Sequence, residues 1–138
     1  MNAEIPEIRT VTVEREIPHK PEKIWRALTL PHLLEEWLMK SDFAPVIDHQ
    51  FTFRGAWGSV DCQVLTVEPH KTLSYSWGAM GLGSIVTFTL TPTGEGTLLR
   101  MDQEGFRRDQ ETAYRGAIYG WNQFFDKLGL VLAKQEGN

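Results

Sequence analysis

The hydrophobic and polar positions follow two different periods along the chain. Residues 8–17 alternate, with Val11, Val13 and Ile17 on the apolar side, which is typical of a half-buried strand. Between residues 51 and 105 the period is again two, and glycine, proline or charged clusters separate short segments. After Gly105 apolar residues recur every three or four positions, which indicates a helix. The pattern therefore predicts an antiparallel sheet followed by a long C-terminal helix.

Two short helices are predicted between the first strand and the rest of the sheet. Pro21 suits a first helical position because its missing N–H has no intrahelical partner there, and Ile24, Trp25 and Leu28 follow on one face. Pro31 begins a second segment, and Pro45 ends any further helix. The apolar residues of this second segment at helical spacing are Leu33, Leu34, Trp37 and Leu38.

Five further strands are predicted within the middle of the chain, over residues 51–54, 59–68, 72–77, 84–91 and 97–105. Both faces of segment 59–68 are mixed, so its orientation stays open. The glycines from Gly78 to Gly83 lead into a strand rather than a helix. They therefore indicate a flexible hairpin at the mouth of any cavity, and not a phosphate-binding loop.

The C-terminal helix carries two different stripes, and Asp109 is its predicted N-cap, with Glu111 favourable in the first turn. Large apolar residues form one row, namely Tyr114, Ile118, Trp121, Phe125, Leu128 and Leu132. Small residues form a second stripe roughly 90° around the helix at about 100° per residue. This stripe, called the small stripe below, consists of Ala113, Gly116, Ala117 and Gly120.

The small stripe has two interpretations, because a glycine within a helix costs about 0.5 to 1 kcal/mol relative to alanine and needs a reason. A strand packs closely against it, or it forms the thin wall of a cavity that faces the concave side of the sheet. A dry apolar cavity of about 300 Å³ would cost roughly 7 kcal/mol, which rivals the net stability of a domain, so such a space implies a use. A further alternative is that inward side chains nearly close the space, namely Trp57, Trp77, Met80 and Phe106.

The composition indicates one folded domain over residues 1–138. A length of 138 residues is enough for one core and too little for two, and the hydrophobic fraction of 41%, with five tryptophans in the chain, is typical of a folded protein. A formal net charge of −4 gives no reason to expect nucleic acid or an anionic membrane as a partner, and no apolar run is long enough for membrane insertion. The single cysteine, Cys62, cannot form an internal disulfide and is expected to be buried. Without a targeting or spanning segment, a cytoplasmic location is expected.

Candidate catalytic and metal-binding side chains form no recognisable set. The four histidines are scattered, without an i,i+4 pair or a cysteine partner, so we expect no metal and no cofactor. No ordered combination of serine, histidine and aspartate is evident either. Tyr75, Tyr114 and Tyr119 suit the orientation or protonation of a ligand, but packing in the core or at a rim is the favoured role for each.

Several segments, in their order and spacing, resemble a known family over about residues 8 to 134. They are residues 15–29 (REIPHKPEKIWRALT), 34–37 (LEEW), 64–69 (VLTVEP), 73–77 (LSYSW), 86–90 (VTFTL), 96–97 (GT), 104–106 (EGF) and 120–121 (GW). Together they resemble the activator-of-Hsp90-ATPase-homologue-like branch of the START/Bet v 1-like superfamily. The resemblance implies an α+β helix-grip fold, in which a curved antiparallel sheet wraps around a long C-terminal helix. Two short helices follow the first strand, and a hydrophobic cavity lies between sheet and helix.

The resemblance also implies a range of activities. Family members bind small hydrophobic molecules, act in polyketide cyclisation or antibiotic resistance, or stimulate the ATPase of Hsp90, so function does not follow from fold. Lys20 and Leu30 stand where the family often places helix-capping serine and aspartate, which predicts uncapped helix starts. Gln103 stands where many relatives carry histidine. A neutral amide orients a carbonyl or hydroxyl but does not shuttle protons.

We therefore expect a small hydrophobic or aromatic ligand in the cavity between the sheet and the C-terminal helix. Gln103 and Tyr114 would orient the polar end of the ligand, and Ala117 would belong to the thin wall. The expected apolar wall consists of Trp57, Tyr75, Trp77, Met101, Ile118 and Trp121. A polyketide cyclase-like or hydrolase-like enzyme and an Hsp90-type chaperone partner are the alternatives.

Overall fold

Within residues 9–56, 58–79 and 82–134, which the computed structural model describes, a seven-stranded antiparallel sheet packs against three α-helices. The strands are β1 (Arg9–Ile17), β2 (Lys40–Ser41), β3 (Gln50–Gly55), β4 (Gly58–Glu68), β5 (Thr72–Ala79), β6 (Leu82–Pro92) and β7 (Thr97–Phe106). The helices are α1 (Pro21–Thr29), α2 (Pro31–Trp37) and α3 (Glu111–Lys134). A 3₁₀ turn, Arg108–Gln110, leads directly into α3.

The order of strands in the sheet is β1-β7-β6-β5-β4-β3-β2. Neighbours in the chain are neighbours in the sheet from β2 to β7, while β1 crosses to pair with β7, so β1 lies beside α3. The predicted order of strands and helices and the helix-grip arrangement are confirmed. The two-residue strand β2 was not predicted, because it is too short to have a period.

The core lies between the concave face of the sheet and the helices. Inward positions on β3 to β7 supply alternating buried side chains, as the period of two predicts. They include Phe51, Phe53, Val60, Val64, Leu73, Tyr75, Val86, Phe88, Leu99 and Met101. Cys62 is buried too, as expected, and burial raises the pKa of its thiol to about 12, so it stays protonated near neutral pH.

The helices close the core on one side. Neither Lys20 nor Leu30 caps a helix with its side chain, as predicted. The indole Nε1–H of Trp37 donates to the backbone carbonyl of Ala27 at 2.8 Å and so joins α2 to α1. The C-terminal part of α3 buries Trp121, Phe125, Leu128, Val131 and Leu132. Among the described helices, none is long and apolar enough to span a membrane.

The start of α3 differs from its prediction. Asp109 lies inside the 3₁₀ turn and is not an N-cap, and α3 begins at Glu111. The turn is closed instead by Gln110, whose side-chain oxygen accepts the backbone N–H of Arg107 at 2.8 Å. A sequence motif for an N-cap does not distinguish a 3₁₀ entry from a direct helical start, since both place polar side chains near free N–H groups.

Strand β4 owes its mixed pattern to a bulge. Val60, Cys62 and Val64 point into the core, but the register with β5 shifts between Val64 and Thr66. Leu65 points outward and is 40% exposed, and beyond the shift the alternation changes phase, so that Val67 rather than Thr66 packs against the core. This irregularity explains why the period alone left the orientation of segment 59–68 open.

Candidate functional site

An open cavity of about 700 Å³ lies between the N-terminal half of α3 and the adjoining ends of β5, β6 and β7. Its volume falls within the range of ligand pockets. A cavity beside this part of the helix was one of the two interpretations of the small stripe and was implied by the family resemblance, and among the described residues no side chain fills it. Trp77 and Phe106 line the space without filling it, while Trp57 and Met80 lie outside the described residues.

The small stripe forms one wall of the cavity. Ala113, Gly116, Ala117 and Gly120 all line it. A Cβ atom built on Gly116 or Gly120 would meet no heavy atom within 4 Å, so neither glycine is required by a close strand. The close-packing interpretation is therefore wrong at both positions, and the missing side chains leave open space.

We expect Gly116→Ala and Gly120→Ala each to stabilise the protein by about 0.5 to 1 kcal/mol, because alanine removes the entropic penalty of a helical glycine without a clash. Urea denaturation of the single and double variants measures the gain. Gly129→Ala on the same helix, where a Cβ is equally free, provides the matched control with a similar gain. A loss of stability at Gly116 or Gly120 alone would restore the close-packing interpretation.

The floor of the cavity is aromatic. The ring centroids of Trp77 and Trp121 are 5.3 Å apart, and those of Trp121 and Phe124 are 5.4 Å apart. Phe106 is fully buried, and the Leu82 side chain completes the apolar surface. Flat apolar side chains of this kind give a large contact area to an aromatic or aliphatic ligand.

A buried hydrogen-bond chain fixes the floor. The Trp121 indole Nε1–H donates to Gln103 Oε1 at 2.8 Å, and Gln103 Nε2–H donates to Ser84 Oγ at 2.9 Å. The Ser84 hydroxyl in turn donates to the backbone carbonyl of Trp77 at 2.9 Å. The chain ties α3 to β7, β6 and β5. An amide has two donor hydrogens and two acceptor lone pairs, so Gln103 retains one of each for a ligand.

The rim of the cavity is charged. Arg107 pairs with Asp109 at 3.2 Å, and Glu111 accepts from Arg9 at 2.6 Å and from Arg115 at 2.8 Å. The hydrogen bonds from Arg115 and Arg9 hold the pKa of Glu111 below its usual value. Both rim carboxylates are therefore already engaged by arginines.

The structure brings four of the predicted site residues to the cavity, and they are Trp77, Gln103, Ala117 and Trp121. Tyr75 and Met101 belong to the closed core instead. Tyr114 packs edge-on against Phe106, at 5.6 Å between ring centroids, and lies under the Arg9 guanidinium rather than on the cavity wall.

Ile118 is 40% exposed and is not part of the cavity wall either. The prediction treated the large apolar row as one buried face. In the structure the row is fully buried only from Trp121 onwards, while Tyr114 is partly buried against the core and the N-terminal half of α3 stands over the cavity. Trp57, the remaining predicted wall residue, lies outside the described residues.

Two groups of lining residues were missed. Phe124 continues the small stripe by one further turn from Gly120, so its position was available from helical spacing. Residues 108–112 form the rim, and they reach it because the 3₁₀ turn passes over the end of β7. No local pattern in the sequence signals that position.

The Tyr75 hydroxyl is buried without a hydrogen-bond partner among the described residues. Its ring lies within an aromatic cluster whose members are Phe43, Phe51, Phe53 and Phe88. Burial raises the pKa of the phenol well above its usual value. The group therefore stays neutral and lies away from the cavity, which does not suit proton transfer to a ligand there.

We expect Tyr75→Phe to leave stability unchanged or to raise it by about 1 kcal/mol, because the substitution removes a buried polar atom that lacks a partner. Thermal unfolding measures the change, and ligand affinity should stay within about twofold of the unsubstituted protein. A clear loss of stability would show that the hydroxyl has an internal partner.

Among residues 9–56, 58–79 and 82–134, no group of three or more histidine, cysteine, aspartate or glutamate side chains is placed to hold a metal ion. The chemistry that the cavity offers is apolar contact, one amide at the floor and arginines at the rim.

The fold and the cavity together define a helix-grip protein with an open space between the sheet and the first turns of the long helix. The family model described as "Activator of Hsp90 ATPase homolog 1-like protein" matches residues 18–133, and the chain belongs to this family. The resemblance seen in the sequence is thereby confirmed. No curated protein matches the chain.

Solved structures agree with this assignment. Protein MLL2253 from Mesorhizobium loti is 58% identical, with a TM-score of 0.90 over 93% of this chain and 99% of that one. The Aha1 dimer from Colwellia psychrerythraea is 22% identical, with a TM-score of 0.83 over 94% of this chain and 99% of that one. DynU16, from the dynemicin biosynthetic locus, is 24% identical, with a TM-score of 0.83 over 90% of this chain and 47% of that one. At such identities the last two establish a shared fold.

Proposed function

We propose that this protein binds a small apolar or aromatic molecule in the cavity beside the small stripe. The observation that carries the proposal is the pair of helical glycines whose missing side chains face about 700 Å³ of open space. Each glycine lowers helix stability by about 1 kcal/mol relative to alanine. Neither glycine has a packing neighbour that requires it, and both, unlike Gly129, line the cavity.

The floor supports an apolar ligand. Trp77, Trp121 and Phe124 offer flat surfaces, and the indole N–H of Trp121 is already satisfied by Gln103. A ligand ring that lies on these side chains displaces water molecules that have few hydrogen-bond partners there. Binding is favoured over turnover because Gln103 has no titratable proton and the Tyr75 hydroxyl lies in the core.

The neutral fluorophore N-phenyl-1-naphthylamine tests the proposal. We expect saturable fluorescence enhancement and a ligand-dependent rise in melting temperature, since a ligand at a hundredfold excess over its Kd stabilises by about 2.7 kcal/mol. Gly120→Leu places a branched side chain in the cavity and should weaken binding at least about tenfold.

Gly129→Leu is the matched control, because Gly129 lies on the same helix, in equally open space, and outside the cavity lining. It should bind the fluorophore as the unsubstituted protein does. Equal affinity in both leucine variants would place the fluorophore elsewhere, and the absence of saturable binding by the unsubstituted protein would refute the proposal.

A further inference from the structure

The cavity rim carries positive charge in a chain whose formal net charge is −4. Among the described residues, the charged rim residues and their ion-pair partners comprise four guanidinium groups against two carboxylates, which leaves a net charge of +2. The arginines are Arg9, Arg107, Arg108 and Arg115, and the carboxylates are Asp109 and Glu111. Such a local excess attracts anions to the mouth of the cavity.

Arg108 differs from the other three arginines. Arg107 pairs with Asp109, while Arg9 and Arg115 share Glu111. Arg108 lines the cavity, and across the described ranges its side chain has neither an ion pair nor a hydrogen bond. Its five N–H donors are therefore available to a ligand at the mouth.

We propose that Arg108 pairs with the carboxylate of an amphipathic ligand whose apolar body lies over Trp121 and Phe124. This inference rests on the proposed function and names the class of ligand. A guanidinium matches a carboxylate in geometry and is weakly hydrated, so the pair forms at a partly exposed rim with little desolvation cost. The N-terminus of α3 lies at the same rim, and its helix dipole adds a positive electrostatic potential to that of the arginines.

The arrangement also orients the ligand. The buried floor, with Trp121 and Gln103, suits the apolar end and at most one neutral polar group. A carboxylate at that depth would lose its hydration without a cation beside it. The acid group therefore lies at the mouth, and the apolar body points toward the sheet.

Two nearly isosteric competitors, 1-naphthoate and 1-naphthamide, test the proposal by displacing N-phenyl-1-naphthylamine. They differ in charge and hardly in shape. We expect 1-naphthoate to bind about fivefold more tightly to the unsubstituted protein at low salt, and we expect 0.5 M NaCl to reduce this preference because salt screens the rim.

Arg108→Gln should abolish the preference for the acid and leave the affinity for 1-naphthamide within about twofold. Arg54→Gln is the matched control, since Arg54 is exposed, has no ion pair among the described residues and lies outside the cavity lining. It should retain the preference.

Equal affinities for the acid and the amide in the unsubstituted protein would overturn the inference and leave the proposed function intact. An Arg108→Gln variant that weakens both competitors alike would also overturn it, because the arginine would then act on the shape of the cavity rather than through charge. Failure of the fluorophore to bind, or binding that Gly120→Leu does not affect, would refute the proposed function and the inference with it.

Discussion

Gly105→Ala is expected to lower the free energy of unfolding by about 2 to 4 kcal/mol, from backbone strain and a steric clash together. Gly105 has a φ of +118°, which side chains rarely tolerate. An added Cβ would also lie 2.7 Å from the carbonyl oxygen of Gly83 and 3.2 Å from Ser84 Cα. Both contacts are with the backbone of β6, so no side-chain rotation relieves them. Urea denaturation with a constant m-value measures the loss.

Gly58→Ala separates the two causes. Gly58 also has a positive φ, at +147°, but a Cβ there would meet nothing within 4 Å. It should therefore cost only the backbone strain, about 1 to 3 kcal/mol. If Gly105→Ala costs no more stability than Gly58→Ala, the clash with β6 adds nothing to the strain. That result would mean that β6 and β7 separate easily at this point.

Gly105 also shapes the cavity. The register between β1 and β7 shifts here, because Thr10 pairs with Glu104 and Arg9 with Phe106. Gly105 is thus the extra residue of a bulge that bends the end of β7. Phe106 is then buried at the cavity, and the rim begins two residues later at Arg108. Loss of the bulge should alter ligand affinity as well as stability.

Gln103→Leu is expected to destabilise the protein by about 2 to 4 kcal/mol, although leucine is apolar and of similar size. The substitution leaves the buried Trp121 N–H without an acceptor and takes a donor away from the Ser84 hydroxyl. Chemical denaturation of the purified variant measures the effect. The near-ultraviolet circular dichroism of the Trp77–Trp121 pair should change with it, since their rings are held 5.3 Å apart.

A double-mutant cycle with Ser84→Ala checks the mechanism. The two substitutions disrupt the same hydrogen-bond chain, so their combined cost should fall at least about 0.5 kcal/mol short of the sum of the single costs. Additive costs would show that the chain does not act as a unit. A Gln103→Leu variant of unchanged stability would show that cavity water replaces the amide.

The two glycines of the wall and the one at the bulge have opposite roles. Gly116 and Gly120 face open space, so alanine should stabilise the protein there, whereas alanine at Gly105 should destabilise it. The same residue type thus lines a cavity in one case and forms a strained β-bulge in the other. The surroundings of a missing Cβ distinguish them, and the sequence does not contain those surroundings.

The order of elements was predictable from the sequence because its causes are local. Alternation, helical spacing and proline positions place strands and helices close to their observed bounds, and the small stripe marked the part of α3 at which either close packing or a cavity was expected. Part of the lining of the candidate cavity was predictable for the same reason. Trp77, Ala117 and Trp121 were predictable from their positions in a strand or a helix, because the period of the element determines which side chains share a face.

Tertiary structure alone decided what each face meets. Periodicity made Tyr75, Met101 and Ile118 look like cavity wall, yet two are enclosed by core side chains and one faces solvent. The chain of Trp121, Gln103 and Ser84 joins residues 18 and 19 positions apart, which no local pattern signals.

The rim of the cavity depends on a contact between residues that are far apart in the sequence. Arg9 reaches Glu111 across 102 positions because β1 crosses the sheet to pair with β7 beside the start of α3. That crossing neutralises one rim carboxylate and leaves Arg108 without a partner among the described residues. The sequence by itself determined which elements form and which helical face is small. Only the packing of strands far apart in the chain determined where the empty space lies and what charge surrounds it, because both depend on contacts that local periodicity does not encode.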